Sequence, residues 1–257
     1  MRKISIDKLS LEEVYERGHQ YFLRHLSIDC VIFGFHDGHL KVLLLKWKGT
    51  GEWSLPGGFI QHQEPIDDAA IHIVNQRTGL KDIYLQQFHA FGDLARQREK
   101  NKTKMPKGVK PNSWMMERFV TIGYWALVEY SKVVPVPDQL SSACSWVEIK
   151  KIPSLILDHN QILQKALQSL RLHLNDYPVG KDLLPEKFTM PELQQLYETL
   201  LSKKIDRRNF QKKILSLEIL EKLKEQKKGG AHKAPYLYRF DSRKYLKALK
   251  QGLKFGI

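Results

Sequence analysis

The chain has 257 residues, 42% of them hydrophobic and 27% charged, and a formal net charge of +14. That length leaves room for one large domain or two smaller ones with a sizeable core. No apolar run approaches the ~20 residues of a membrane-spanning helix, and residues 1–18 hold no apolar signal core, so a soluble cytoplasmic protein with no membrane partner is the expectation.

The positive charge is local. Residues 176–257 carry 19 Lys/Arg against 10 Asp/Glu, and residues 1–175 carry 23 against 18. Within the longer part, Ala95–Ser113 alone holds seven basic residues and one acidic. An excess concentrated in this way favours nucleic acid or an acidic surface as a partner over a general solubility effect.

Residues 8–25 are expected to form an amphipathic helix, with Ser10 as its cap and Glu13 completing a capping box. Leu11, Val14, Tyr15, Tyr21 and Phe22 would line its packing face, against the chain itself or against a second copy. Residues 27–36 and 39–47 are two apolar, β-rich runs around Asp37-Gly38, which is a hairpin signal. Val42–Leu45 is continuous and apolar, as a strand buried on both faces would be. Cys30 and Cys144 have no partner at metal-ligand spacing and read as small buried hydrophobes.

Glu52–Leu55 then leads into Pro56-Gly57-Gly58, where the backbone can turn sharply. A helical pattern starts near Pro65 and stops at Gly79. Asp67 and Asp68 suit its positive N-terminal end. Ile66, Ala69, Ala70, Ile73 and Val74 repeat at three and four residues, so they should share one buried face. Ile83–Phe91, Glu117–Val128 and Ser145–Ile149 read as strands, and Ser154–His173 as a helix. Strands interspersed with two or three helices predict a mixed α/β sandwich.

Asn175–Lys187 is punctuated by Pro, Gly and Asp and is taken as the linker, over residues 176–187, between residues 26–175 and 188–257. Beyond it, Thr189 caps a helix with Glu192 at capping-box spacing, and Leu193, Leu196, Tyr197 and Leu200 make its apolar face. Asp206 caps a second helix, Arg207–Leu215, with Phe210 and Ile214 facing inward. A basic, glycine-containing tip at residues 227–233 and a returning strand at Tyr236–Phe240 follow. Two helices joined by a short turn, then a basic hairpin, predict a winged helix-turn-helix that binds double-stranded DNA. Arg208 and Asn209 are the candidates for base edges, since each side chain can form two hydrogen bonds to one base. Arg207, Lys212, Lys213, Lys228, His232 and Lys233 complete the expected DNA-binding set, largely as phosphate contacts that position without specifying. Nothing in the sequence resembles an aromatic base-stacking platform, which disfavours RNA.

The stretch Gly57–Leu80, GGFIQHQEPIDDAAIHIVNQRTGL, resembles the Nudix box, G-x5-E-x7-R-E-U-x-E-E-x-G-U with U aliphatic. Gly58, Glu64, Val74, Gly79 and Leu80 fall at matching positions. Where the family has Arg-Glu this chain has His72-Ile73, and where it has Glu-Glu this chain has Gln76-Arg77. Positions 73, 76 and 77 share one side of a helix. In an active Nudix hydrolase that side holds Mg²⁺, which needs hard oxygen ligands. An isoleucine, an amide and a guanidinium do not supply them, so no catalytic residue, metal site or cofactor is expected. A hydrolase working through Glu64 with Asp67 or Asp68 is the less favoured alternative.

With the winged helix added, the chain resembles the Nudix-related transcriptional regulators of the NrtR/AraR type. The segments IDCVIFGFHDGHLKVLLLKW, GEWSLPGGFI, DDAAIHIVNQRTGL and KIDRRNFQKKI look most like its arabinose-regulator branch in Bacteroidetes. That resemblance implies an α/β (α+β) Nudix-like sandwich followed by a C-terminal winged helix. It also implies a homodimer on a palindromic operator, weakened in its binding by a small-molecule effector. The effector would be a pentose, making the protein a repressor of sugar catabolism, or, as the alternative, ADP-ribose in a regulator of NAD metabolism. Phe59, Gln61, Gln63, His89 and Asp93 are the candidate effector-binding residues, polar groups above an aromatic floor.

Overall fold

In a computed structural model of the chain, the described residues are 10–81, 83–96, 113–174, 177–178, 180–227 and 234–250. They divide into two compact units. One takes its residues from 1–33, 41–127 and 132–167, and the other from 34–40, 128–131 and 168–257.

The core of the first unit is a mixed seven-stranded sheet. Strands β1 (Phe22–His36) and β2 (His39–Trp47) form the expected hairpin. Asp37 (φ 50°) and Gly38 (φ 75°) both take positive φ, the geometry of a two-residue turn that matches strand twist. Val42, Leu43 and Leu44 are fully buried. β3 (Trp53–Ser54), β4 (Gly57–Gln61), β5 (Tyr84–Phe91), β6 (Val120–Val128) and β7 (Ser141–Glu148) complete the sheet. The main order is β3-β2-β1-β6-β5, with β4 paired to β1 and β7 paired to β2.

The N-terminal segment departs from its sequence reading. Helix α1 covers only Leu11–Arg17, with the Ser10–Glu13 capping box formed. A short 3-10 turn follows, and Phe22 already belongs to β1, paired with Gln61. Two contacts account for the early end. An added Cβ on Gly18 would meet the Trp114 ring at 2.6 Å, and the Trp114 Nε1–H donates to Val14 O at 2.8 Å. Beyond them β1 is irregular between Phe22 and Ser27, where His25 takes φ 65°. Val14 and Phe22 are buried with Trp114 and Phe119, which is the intra-chain packing of the two uses left open. The side chains of Leu11 and Tyr15 lie outside the described ones.

Helix α2 (Ile66–Thr78) carries the box and ends at Gly79 with φ 74°. Ala69, Ala70, Ile73 and Val74 are buried as their spacing predicts, whereas Ile66 in the first turn is 37% exposed. Helix α3 (His159–His173) starts five residues later than its apolar pattern. Leu155 and Ile156 are buried ahead of it in extended chain, Ile156 N–H donating to Trp53 O at 2.9 Å.

The second unit is a helix pair and a three-stranded sheet of order β8-β10-β9. The expected linker contains packed structure: a helical turn α4 (Gly180–Leu183), with Leu183 and Leu184 buried. Strand β8 (Phe188–Thr189) leads into α5 (Met190–Leu201), whose capping box between Thr189 and Glu192 is formed. Leu193, Leu196, Tyr197 and Leu200 are fully buried. Helix α6 (Arg207–Ser216), β9 (Leu220–Gln226), β10 (Tyr236–Phe240) and α7 (Ser242–Lys250) follow. The last helix has no counterpart in the sequence reading. Among the described residues no helix is long and apolar enough to cross a membrane.

Candidate functional site

Two neighbouring cavities lie beside β4, because its first two residues are glycines. A Cβ on Gly57 would meet Asp29 Oδ1 at 2.6 Å and Ile28 O at 2.7 Å, and one on Gly58 would meet Ile73 Cδ1 at 3.0 Å. Only bare backbone therefore lets β4 sit this close to both β1 and the box helix. Gly57, Gly58, Phe59, Asp138 and Leu140 line both cavities.

The smaller cavity, about 80 Å³, is lined by the box residues Glu64, His72, Ile73, Gln76 and Arg77. These form a run of contacts among themselves. Glu64 Oε2 accepts the Gln61 N–H at 3.4 Å, and its Oε1 lies 3.6 Å from His72 Nδ1. His72 Nε2 is within 2.9 Å of the Gln76 amide nitrogen, and Arg77 reaches Gln76 Oε1 at 3.4 Å. Arg77 is 3% exposed, so a fixed cation is buried on the helix side that the sequence comparison singled out. Among the described residues no group of three or more His, Cys, Asp or Glu could hold a metal ion.

The larger cavity, about 150 Å³, has mostly apolar walls, including Trp47, Phe59, Phe119 and Ile156, and an ionic floor. Arg96 donates to Asp29 Oδ2 at 3.1 Å and also to Asp158 Oδ1. His159 Nδ1 accepts the Leu55 N–H at 3.0 Å, which leaves Nε2 to carry the ring proton, 3.6 Å from Asp29 Oδ1. All four side chains are buried. Burial pushes His159 down to about 4, against the pull of Asp29, so the imidazole is neutral at pH 7. Burial also raises the Asp29 carboxyl, but His159 and Arg96 more than offset it and hold it below its ordinary range. Asp158 moves the other way, raised by burial despite Arg96. Asp138 Oδ1 is buried and, among the described residues, accepts no hydrogen bond.

Of the expected effector residues, the structure brings Phe59 and Gln61 to the cavities. It does not bring the other three. Gln63 is exposed at the start of the box turn. His89 is exposed on β5, its ring 4.8 Å from Phe91, and Asp93 is exposed and caps the next turn through Ala95 N–H at 2.7 Å. Strand alternation and a loop reversal set these directions, and the sequence does not show them. Asp29, Arg96, Asp138 and His159 went unread. Asp29 did leave a signal, as a lone acid inside the apolar run SIDCVIFGF. Arg96 read as part of a basic surface stretch, yet it is buried in an ion pair; residues 97–112 of that stretch lie outside the described ones.

In the second unit, Asp206 Oδ1 accepts the Asn209 N–H at 2.8 Å and starts α6. Phe210 and Ile214 are buried, Phe210 5.5 Å from the Tyr197 ring, which fixes the opposite face outward. Arg207, Arg208, Asn209, Lys212 and Lys213 are all exposed on it. Lys228, His232 and Lys233 lie outside the described residues.

Comparison with known proteins assigns both units. Residues 23–170 match the NUDIX domain, and residues 180–240 match the NrtR DNA-binding winged helix domain. The chain belongs to the Nudix family. Its second unit adds to that domain a match to the NrtR DNA-binding winged helix. The chain is 27% identical over 227 residues to the ADPR responsive transcriptional repressor NtrR of Acinetobacter baylyi, covering 86% of this chain and 83% of that one. Shewanella oneidensis NrtR, solved in complex with a 27mer DNA, superposes with a TM-score of 0.68 at 26% identity, over 87% of this chain and 96% of that one. A MutT/nudix family protein from Enterococcus faecalis shares the fold, with a TM-score of 0.61 at 21% identity over 93% and 100% of the two chains.

Proposed function

We propose that the protein is a transcriptional repressor that binds an operator through α6 and answers to ADP-ribose held in its Nudix unit. The observation that carries this is the likeness to an ADPR responsive repressor across both units, over 86% of the chain. The pentose effector and the arabinose branch, favoured by the sequence segments, give way to ADP-ribose on that ground. The effector site we assign is the pair of cavities along Gly57–Phe59, with Asp29, Asp138, Glu64 and Gln61 as the polar groups that meet ligand hydroxyls. Arg208 and Asn209 read base edges, and Arg207, Lys212 and Lys213 hold phosphates. The protein acts in the cytoplasm, as a homodimer on a palindromic operator. It does not hydrolyse its effector, because Ile73, Gln76 and Arg77 offer no anionic oxygen to Mg²⁺.

Regulation follows if ADP-ribose binds the free protein better than the DNA-bound one, and by linkage DNA then weakens ADP-ribose to the same degree. The test selects a preferred duplex from a random-sequence pool, then measures its affinity by fluorescence anisotropy at ~150 mM salt, where specific binding persists. Saturating ADP-ribose should weaken binding by roughly 5–150-fold. Arabinose should not, and the ADP-ribose recovered after incubation with Mg²⁺ should be intact. Failure to select any preferred sequence, or an affinity indifferent to ADP-ribose, would overturn this reading.

A further inference from the structure

Helix α7 follows β10 directly and lies beyond residues 180–240, where the winged helix match ends. Asp241 caps it, its Oδ1 accepting the Arg243 N–H at 3.0 Å and the Lys244 N–H at 3.1 Å. Tyr245 is its one fully buried side chain. Tyr245 is 1% exposed, packs edge-on to Tyr177 and Phe240, and donates its hydroxyl to Pro178 O at 3.0 Å.

The outward side is cationic apart from Ser242 and Leu246, the latter 53% exposed. Arg243, Lys244, Lys247 and Lys250 are exposed, and Ser242–Lys250 contains no Asp or Glu. Positions 243, 247 and 250 share a face, with 244 beside them, in a strip about 10 Å long. Four other cations of this unit are neutralised: Lys187 by Glu225 at 2.8 Å, Lys204 by Glu198 at 3.0 Å, Lys227 by Glu192 at 2.5 Å and Arg239 by Glu221 at 2.8 Å. Among the described residues the four α7 cations enter no ion pair, a property they share with Arg207, Arg208, Lys212 and Lys213 of α6 and with the scattered Lys203 and Lys224.

This arrangement works against the helix itself. Arg243 and Lys244 occupy the first turn, at the positive end of the helix dipole. Like charges repel at 243/247, 244/247 and 247/250. Burying Tyr245 requires none of these charges. A polyanion laid along the strip would offset both penalties.

We propose that α7 is a second DNA contact, holding backbone phosphates through Arg243, Lys244, Lys247 and Lys250. It would add affinity and carry no sequence information. A duplex presents one charge per ~1.7 Å of axis, so a strip of this length faces several phosphates. The inference rests on DNA being the partner, and on neither the operator sequence nor the effector.

The probe is a random-sequence 30-base-pair duplex, and the readout is the slope of log Kd against log salt between 50 and 200 mM. Wild type is compared with the Arg243→Gln/Lys244→Gln/Lys247→Gln/Lys250→Gln variant. A Lys203→Gln/Lys224→Gln control removes two exposed cations that lie outside both helices. Each phosphate contact contributes about 0.9 to the slope, so the four-fold variant should lose roughly 2–4 of its magnitude. It should bind the duplex tenfold or more weakly at 50 mM salt, with the preference for a selected sequence over the random duplex unchanged. An unchanged slope overturns the proposal, as does an equal loss per charge in the control, which would mark a general charge effect. Wild-type binding to phosphatidylserine vesicles that the variant loses, with the DNA slope intact, would assign the strip to a membrane surface instead. A reduced slope in a protein with no sequence preference would sink the operator reading and leave this one standing.

Discussion

His159 is a neutral imidazole sealed under the larger cavity, and acid should find it. Its folded pKa of about 4 lies below the ordinary 6.5, so the unfolded chain takes up the proton first. Its contribution is complete above pH ~6.5 and is lost as pH falls towards 4, by an amount on the order of 2–3 kcal/mol. Asp182 opposes this trend, since burial raises it to about 6 and its protonation favours the fold as pH falls. Urea midpoints at pH 7, 5.5 and 4.5 should therefore be compared between wild type and His159→Gln, whose amide can still accept the Leu55 N–H. The variant should lose less stability than wild type over that range. On α6, Arg208→Ala should cost about 1–3 kcal/mol of operator binding and relax one base position, whereas Lys212→Ala should weaken all duplexes alike. Binding-site selection on each variant distinguishes the two outcomes. At this scale legibility depended on whether a residue's environment is local. The exposed placement of Arg208 and Asn209 was readable because a helix cap and two buried neighbours orient them. Asp29, Arg96, Asp138 and His159 come from four separate stretches that only the sheet brings together.

Single elements were legible where a cap or a tight turn sets them. The Thr189–Glu192 box, the Asp206 cap and the Asp37-Gly38 turn all stand where sequence puts them. Element ends were less legible where tertiary contacts decide them, as at Gly18 under Trp114 and at the late start of α3. Asp206→Ala removes the acceptor for the Asn209 N–H and should cost about 0.5–2 kcal/mol, with operator affinity falling because the first turn carries the residues proposed to read bases. Chemical denaturation and anisotropy on the same preparation check both. Gly57→Ala should cost more than a surface exchange, about 1–3 kcal/mol, since its Cβ falls 2.7 Å from the Ile28 carbonyl. A urea midpoint equal to wild type would show that β4 can move away from β1.

For the whole molecule, binding of ADP-ribose to the folded chain alone should raise its melting temperature with the logarithm of ligand concentration above Kd, equivalent to about 2.7 kcal/mol at a hundredfold excess over Kd. Because Arg77 supplies a protein cation in the smaller cavity, the shift should be the same in EDTA and in Mg²⁺. A shift seen only with Mg²⁺ would show that metal completes the site. The two-part architecture was legible because Pro, Gly and Asp interrupt two helical patterns over Asn175–Lys187 and the net charge rises beyond them. The effector was not legible, because cavity shape is a property of side chains from β1, β4, α2 and the 138–159 region together.

The run Glu64–His72–Gln76–Arg77 also bears on how such a chain can change over generations. Ile73 packs on bare Gly58, so a glutamate there would bury a charge. Replacing Arg77 with glutamate would take away the cavity's fixed cation and set a third carboxylate beside Glu64 and Asp138. The exchanges towards a metal-binding helix at 73 and 77 are therefore each opposed when made alone. A lineage that has reached this arrangement faces a valley on the way to a metal-dependent enzyme. Selection on the proposed effector site can go on without passing through a metal-binding helix.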